Sequence, residues 1–214
     1  MKWIVVTSPS LAREGEALDT AELSFLHRLF EAGIDALHLR KPSSSPEVCR
    51  QLLQSLSAEE RRKTVLHDHF FLAEEFSLKG LHLNGRNPLP SATFQGSLSR
   101  SCHSLQEIQQ YKELQVLNHS FDYLFLSPVF DSISKTNYSS AFTQESMQEA
   151  SNQGIIDEKV MALGGVESRH LPYLATLGFG GAAMLGAVQS LRNLSDREQI
   201  RRLQEIRKAF DTAY

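Results

Sequence analysis

The residues best suited to chemistry stand at the ends of the last two apolar runs. Met161-Ala162-Leu163-Gly164-Gly165-Val166 closes one run on two glycines, and Gly181-Ala182-Ala183-Met184-Leu185-Gly186 closes the final run on another. Glycine lets the main chain approach a ligand closely, and backbone N–H groups at a helix start favour an anion. Gly164, Gly165, Leu185 and Gly186 are therefore the candidate phosphate-binding positions. Glycines at strand ends also serve only to turn the chain. Their place on the last two of a series of strand–helix units tips the reading towards phosphate.

Ser127-Pro128-Val129-Phe130-Asp131-Ser132-Ile133-Ser134-Lys135 follows an earlier run. Ser132 and Ser134 offer hydroxyl donors at alternate positions and Lys135 adds charge, which together make an oxyanion clamp. Alone, the segment reads equally as a solvated polar loop. In His67-Asp68-His69 the two rings share a face if the chain is extended there, the geometry of a metal pair. No third ligand is visible in sequence, so a polar cluster at the mouth of the fold is the favoured reading. His103 precedes Ser104, a helix-capping residue, and spacing alone places its ring in solvent. His27, His119 and His170 fall in helix or loop contexts and receive no role.

These groups need elements to position them. Short runs with Val, Ile, Leu or Phe on both parities are expected as strands at Trp3–Thr7, Ala36–Arg40, Thr64–Asp68, Gly80–Leu83, Gln95–Ser99, Tyr123–Ser127, Val160–Gly164 and Ala182–Gly186. Strands buried on both faces of a parallel sheet have this pattern. Helices fall between them. Glu22–Ala32 carries Leu23, Leu26, Leu29 and Phe30 on one face, with Gly33 as stop. Ser45-Pro46 opens another. Ser104 with Glu107, and Ser195 with Glu198, have capping-box spacing. Arg169–Leu177 ends at Gly178. The stretch 86–95, with two prolines, is expected as an irregular loop.

Eight such alternations leave a closed barrel or an open doubly wound sheet. The first strand runs into Thr7-Ser8-Pro9-Ser10 without the glycine loop that usually announces the open form. The expected fold is thus α/β, a single-domain (β/α)8 TIM barrel over residues 1–214. That length stands near the floor of about 200 residues for such barrels.

The chain is 41% hydrophobic with a net charge of −3. No basic stripe suggests nucleic acid, and no apolar run reaches the length of a membrane span. Cys49 and Cys102 stand apart and read as reduced thiols of a cytoplasmic protein. Whether copies associate into a homo-oligomer is left open.

Taken together, the motifs resemble the thiamine phosphate synthase/TenI family. Its G-P-V-F-x-T-x-T-K loop is matched by Ser127–Lys135, and its A-I-G-G-I strand end by Ala162–Val166. Leu37-His38-Leu39-Arg40-Lys41, His67-Asp68 and Gly80-Leu81-His82-Leu83 also match in order. The resemblance implies a small-molecule thiazole phosphate as ligand. It places Arg40, Lys41, His38, His67, Ser101, Pro128, Ser132, Ser134 and Lys135 at the substrate.

The family has two activities. The synthase joins a pyrimidine pyrophosphate to a thiazole phosphate with Mg²⁺, using a Q-x-R-E-K stretch, an N-D pair and a second acidic residue. Here the Gln is His38, its Lys falls on Pro42, the pair is His67-Asp68, and the second acid falls on Asn87. Asp68 alone remains for Mg²⁺, and a hard cation wants more anionic oxygen than that. The TenI-type tautomerase aromatises the carboxylated thiazole phosphate without metal. Its S-V-H-S-L-E-E stretch is matched by Ser101-Cys102-His103-Ser104-Leu105-Gln106-Glu107, which puts His103 on the catalytic histidine. A histidine suits a proton shuttle because its unperturbed pKa, about 6.5, lies near working pH. The resemblance therefore implies a tautomerase with no cofactor, a synthase with Mg²⁺ as runner-up, and an inactive phosphate-ligand binder as a third reading.

Overall fold

The computed structural model describes residues 1–9, 19–116, 119–130 and 142–213. Eight parallel strands close into a barrel: β1 (Lys2–Val6), β2 (Ala36–Leu39), β3 (Thr64–Leu66), β4 (Gly80–Leu83), β5 (Ser97–Cys102), β6 (Tyr123–Leu126), β7 (Val160–Leu163) and β8 (Gly181–Met184). Each strand pairs with its neighbours in sequence, and β8 closes the ring on β1, with Trp3 opposite Ala182. This is the expected (β/α)8 architecture.

The strands alternate between two cores. Leu37 and Leu39 of β2 join Trp3, Val5, Leu81, Leu83, Leu124 and Leu126 in the layer beneath the helices. The opposite parity fills the barrel with Ile4, Val6, Ala36, Tyr123, Phe125, Met161 and Ala183. The same inner parity carries His38 and His82, each at most 1% exposed. Polar side chains inside a barrel must find partners there, and these do.

Local signals set the helix starts. Asp19 caps Thr20–Glu31 by accepting from the Ala21 N–H, and Ser45 caps Pro46–Ser55. Ser104 caps Leu105–Glu113 by accepting from the Glu107 N–H at 3.1 Å. The Glu107 carboxylate, however, takes the N–H of His103 rather than that of Ser104. The second expected box does not form. Ser195 makes no side-chain cap on Asp196–Asp211, and Glu198 pairs with Arg201 and Arg202 instead. The expected helix 169–177 divides into a 3-10 turn, Ser168–His170, and a helix, Leu171–Thr176.

One strand falls later than its sequence suggested. Gln95–Ser99 was the expected span, and β5 runs Ser97–Cys102. Its inward positions Ser99 and Ser101 are polar because they bond the His82 ring at 2.9 Å each. No helix among the described residues is long and apolar enough to cross a membrane.

Candidate active site

All eight strands deliver residues at their C-terminal ends to one cleft of about 1310 Å³. Arg40, His67, Ser101, His103, Pro128, Gly164, Gly165, Leu185 and Gly186 all line it. Ser132, Ser134 and Lys135 lie outside the described residues.

One side of the cleft is built from bare backbone. Gly164 and Gly165 have φ of 90° and 63°, a region that disfavours any Cβ. The loop after β6 is fastened to this corner, since the Val129 and Phe130 N–H groups donate to the Leu163 and Gly164 carbonyls at 2.9 and 3.1 Å. A Cβ on Gly164 would stand 2.8 Å from the Pro128 Cα. Beside it, Gly186 opens the short helix Gly186–Gln189. The first N–H groups of a helix have no intrahelical acceptor and suit an anion.

These two glycines should respond differently to alanine. Gly164→Ala meets both the positive φ and Pro128, so it should lose about 1–3 kcal/mol of stability. A Cβ on Gly186 meets nothing within 4 Å. Gly186→Ala should therefore melt within about 0.5 kcal/mol of the parent, yet bind inorganic phosphate and phosphate esters more weakly. Thermal melting and phosphate titration check both.

His103 stands on the rim of the same cleft. Its Nδ1 lies 2.9 Å from the Ser127 carbonyl oxygen, and its backbone N–H donates to Glu107 Oε2 at 2.7 Å. A carbonyl only accepts. Nδ1 therefore carries the proton, and in the neutral ring Nε2 is the base. The ring is exposed at the rim, so spacing placed it correctly; its fixed orientation was not legible.

The floor is a histidine cluster. His38 Nδ1 lies 2.9 Å from His67 Nε2, and His38 Nε2 lies 2.7 Å from the Tyr123 hydroxyl. His82 stacks on His67 with centroids 4.2 Å apart. Burial is the main cause that lowers all three pKa values. His82 falls to about 3, His38 and His67 fall well below the usual histidine range, and neighbouring cationic groups push the same way. The Tyr123 hydroxyl is pushed well up by the same burial.

Two implied substrate contacts need correction. His38 is fully buried beneath His67 and does not line the cleft. Lys41 is turned away from it: the side chain is 1% exposed, and Nζ donates to Glu22 Oε1 at 2.6 Å. Burial lowers the Lys41 pKa against the opposing pull of Glu22. His67 and His69 have separate partners. His69, at φ 53°, sends Nε2 to the Ser44 carbonyl at 2.8 Å, and the partners of His67 are His38 and His82.

Arg86 is a cleft residue the sequence did not reveal. Its guanidinium meets Asp68 Oδ1 at 2.9 Å. The other oxygen, Oδ2, is buried without a hydrogen-bond partner among the described residues. Asn87 donates its amide to the His67 carbonyl at 3.1 Å. Among the described residues, the corner that would hold Mg²⁺ thus presents one carboxylate, already shared with an arginine. Such a donor set does not fit a hard cation that prefers several anionic oxygens.

A parallel barrel whose cleft joins bare glycine corners on β7 and β8 to a rim histidine has the layout of β/α barrels in which the loops after the last two strands often hold a phosphate. The family model described as thiamine monophosphate synthase matches residues 5–188. The chain belongs to this family, TMP-TENI. A thiamine-phosphate synthase of Bacteroides fragilis is 26% identical over 166 residues, which is 74% of this chain and 80% of that protein. One from Syntrophomonas wolfei is 25% identical over 211 residues, 94% of each. The crystal structure of a thiamine phosphate pyrophosphorylase from Bacteroides thetaiotaomicron superposes with a TM-score of 0.84 at 36% identity, covering all of both chains. The pyrophosphorylase of Pyrococcus furiosus, at 18% identity and a TM-score of 0.72 over 99% of this chain and 96% of its own, shares the fold.

Proposed function

We propose that this chain acts in thiamine biosynthesis as a metal-independent thiazole tautomerase, with His103 as its acid–base group. The observation that carries the reading is the His103 ring itself, held by the Ser127 carbonyl so that Nε2 is the base, on a cleft that Gly164, Gly165 and Gly186 also line. In this account the phosphate of the carboxylated thiazole seats on the N–H groups at Gly164, Gly165 and Gly186, joined by Ser132, Ser134 and Lys135 of the loop after β6. Nε2 removes the proton from ring carbon C2. The electron pair shifts through the ring to the exocyclic carbon, and the imidazolium returns the proton there. One C–H bond breaks and another forms, so no oxidant, reductant or second substrate is needed.

Arg40 faces the carboxylate in this arrangement. A charge-assisted hydrogen bond contributes about 1.5–3 kcal/mol. Arg40→Met should therefore raise KM for the carboxylated substrate by about tenfold or more, with a smaller effect on binding of the decarboxylated thiazole phosphate. Steady-state kinetics and titration separate the two. Equal losses for both ligands would remove the carboxylate role.

The names of the relatives favour the second reading, thiamine phosphate synthesis. The Asp68–Arg86 pair and Asn87 speak against it, because a pyrophosphate leaving group is poorly stabilised without a well-held metal. Supplying the carboxylated tautomer to the purified chain in EDTA tests the proposal. Aromatic product supports it, and unchanged substrate refutes it.

A further inference from the structure

Below the rim, three imidazoles converge from neighbouring strands. His38 projects from β2, His67 follows β3 and His82 projects from β4. One ring nitrogen from each lies within 4.8 Å of the other two. The acid–base account of the rim uses none of them.

Two of the rings are backed from outside. Tyr123 holds His38 through Nε2 and leaves Nδ1 pointing at His67. Ser99 and Ser101 hold His82 through its two nitrogens. Metal-binding histidines have this second set of partners, which fixes the tautomer and the ring plane. The donor set is all imidazole nitrogen. That suits borderline cations such as Zn²⁺, Co²⁺, Ni²⁺ or Cu²⁺ and not Mg²⁺.

We propose that His38, His67 and His82 form a three-histidine site for a borderline divalent cation, with Zn²⁺ the type ligand, on the floor of the cleft. His67 and His82 line the cleft, so an ion has a path in and a fourth position facing solvent or substrate. Neutral imidazole is the form that ligates.

The required movement is small for two of the rings. Two nitrogens bound to a tetrahedral ion at about 2.0–2.1 Å stand roughly 3.3 Å apart. The His38–His67 contact, now 2.9 Å, has to open by only a few tenths of an ångström, with the ion replacing the proton they share. His82 has to leave its stack on His67 and release one of its two serine hydroxyls. The other hydroxyl then serves as the outer partner. The positive groups that face the cluster, Arg40, Arg86, Arg100 and Lys79, weaken a dication there.

The site does not rest on the tautomerase reading, because its test reads binding and not turnover. The full chain, stripped with EDTA and desalted, is titrated with Co²⁺. The expected result is one equivalent bound, a visible absorption band of tetrahedral nitrogen coordination, and its loss on adding Zn²⁺. His82→Phe and His38→Gln should abolish the band. His103→Gln and Asp68→Asn should leave it, which excludes the rim and the acidic corner. Where the buried variants fail to fold, Tyr123→Phe decides: removal of an outer partner should weaken Co²⁺ binding about 10–100-fold. No stoichiometric Co²⁺ on the parent protein overturns the proposal. So does a band unchanged in the histidine variants, or in Tyr123→Phe where those do not fold.

Discussion

Replacing His103 by glutamine will lower turnover of the carboxylated thiazole phosphate by about 10²–10⁴-fold, the usual contribution of a general acid–base group. Glutamine keeps the size and can still donate to the Ser127 carbonyl, but it cannot carry a proton from C2 to the exocyclic carbon. Among the described residues the His103 ring bonds the Ser127 carbonyl and none of the glycines on β7 and β8, so KM should change little. This split between kcat and KM distinguishes a chemical role from a binding one. A fall of less than tenfold would remove His103 from the chemistry. A second outcome carries information about the scaffold. Glu107 holds the His103 backbone N–H and its own N–H is capped by Ser104. Glu107→Gln should therefore reduce turnover less than the histidine change does.

The largest effect on stability is expected at a buried pair that does not line the cleft. Lys41 and Glu22 form an ion pair with side chains 1% and 4% exposed. Removing one partner of a buried pair leaves the other charge without compensation, at a cost of about 3–5 kcal/mol. Lys41→Met should lower the melting temperature by roughly 6–20 °C for a domain of this size. Adding Glu22→Gln should recover much of the loss, because the orphaned charge is then gone. A melting temperature unchanged in Lys41→Met would show that the pair contributes nothing. If the resemblance had been right to place Lys41 at the substrate, the variant would lose substrate affinity while melting normally.

The fold was legible because parallel strands buried on both faces read as apolar runs of both parities. Gly80–Leu83 was placed to the residue. The exception, β5, shows why the cue fails. A barrel interior that bonds a histidine needs serines at 99 and 101, so the strand loses the apolar signature on its inner face. Capping residues marked helix starts well, since their partners lie three residues away. Ser195 likewise marks the start of the last helix, though its side chain makes no cap and the Glu198 carboxylate pairs with arginines of its own helix.

The glycine corners could be picked out in sequence because glycine at a strand end signals local backbone geometry, whereas His103 was singled out only by the family resemblance. Other site features depend on closure of the barrel. Arg40 and Lys41 are adjacent in sequence but part company at the strand end, and nothing local points Lys41 at Glu22, nineteen residues earlier. His82 went unrecognised as a neighbour of His67 because two strands had to be laid side by side first. A usable signal existed: β2 and β4 each carry a histidine as the third residue of a four-residue inward-alternating strand. Two strands flanking β3 with histidines at equal height define a cluster once the barrel is accepted.

The central claim is the choice of reaction, and one assay addresses it. The purified chain receives the carboxylated thiazole phosphate tautomer with EDTA or with Mg²⁺. Matched samples contain pyrimidine pyrophosphate and aromatic thiazole phosphate. The account predicts aromatic product at the same rate with EDTA and with Mg²⁺, and no thiamine phosphate in either condition. Thiamine phosphate formed only with Mg²⁺, together with no conversion of the tautomer, would contradict it and return Asp68 to the role of a metal ligand.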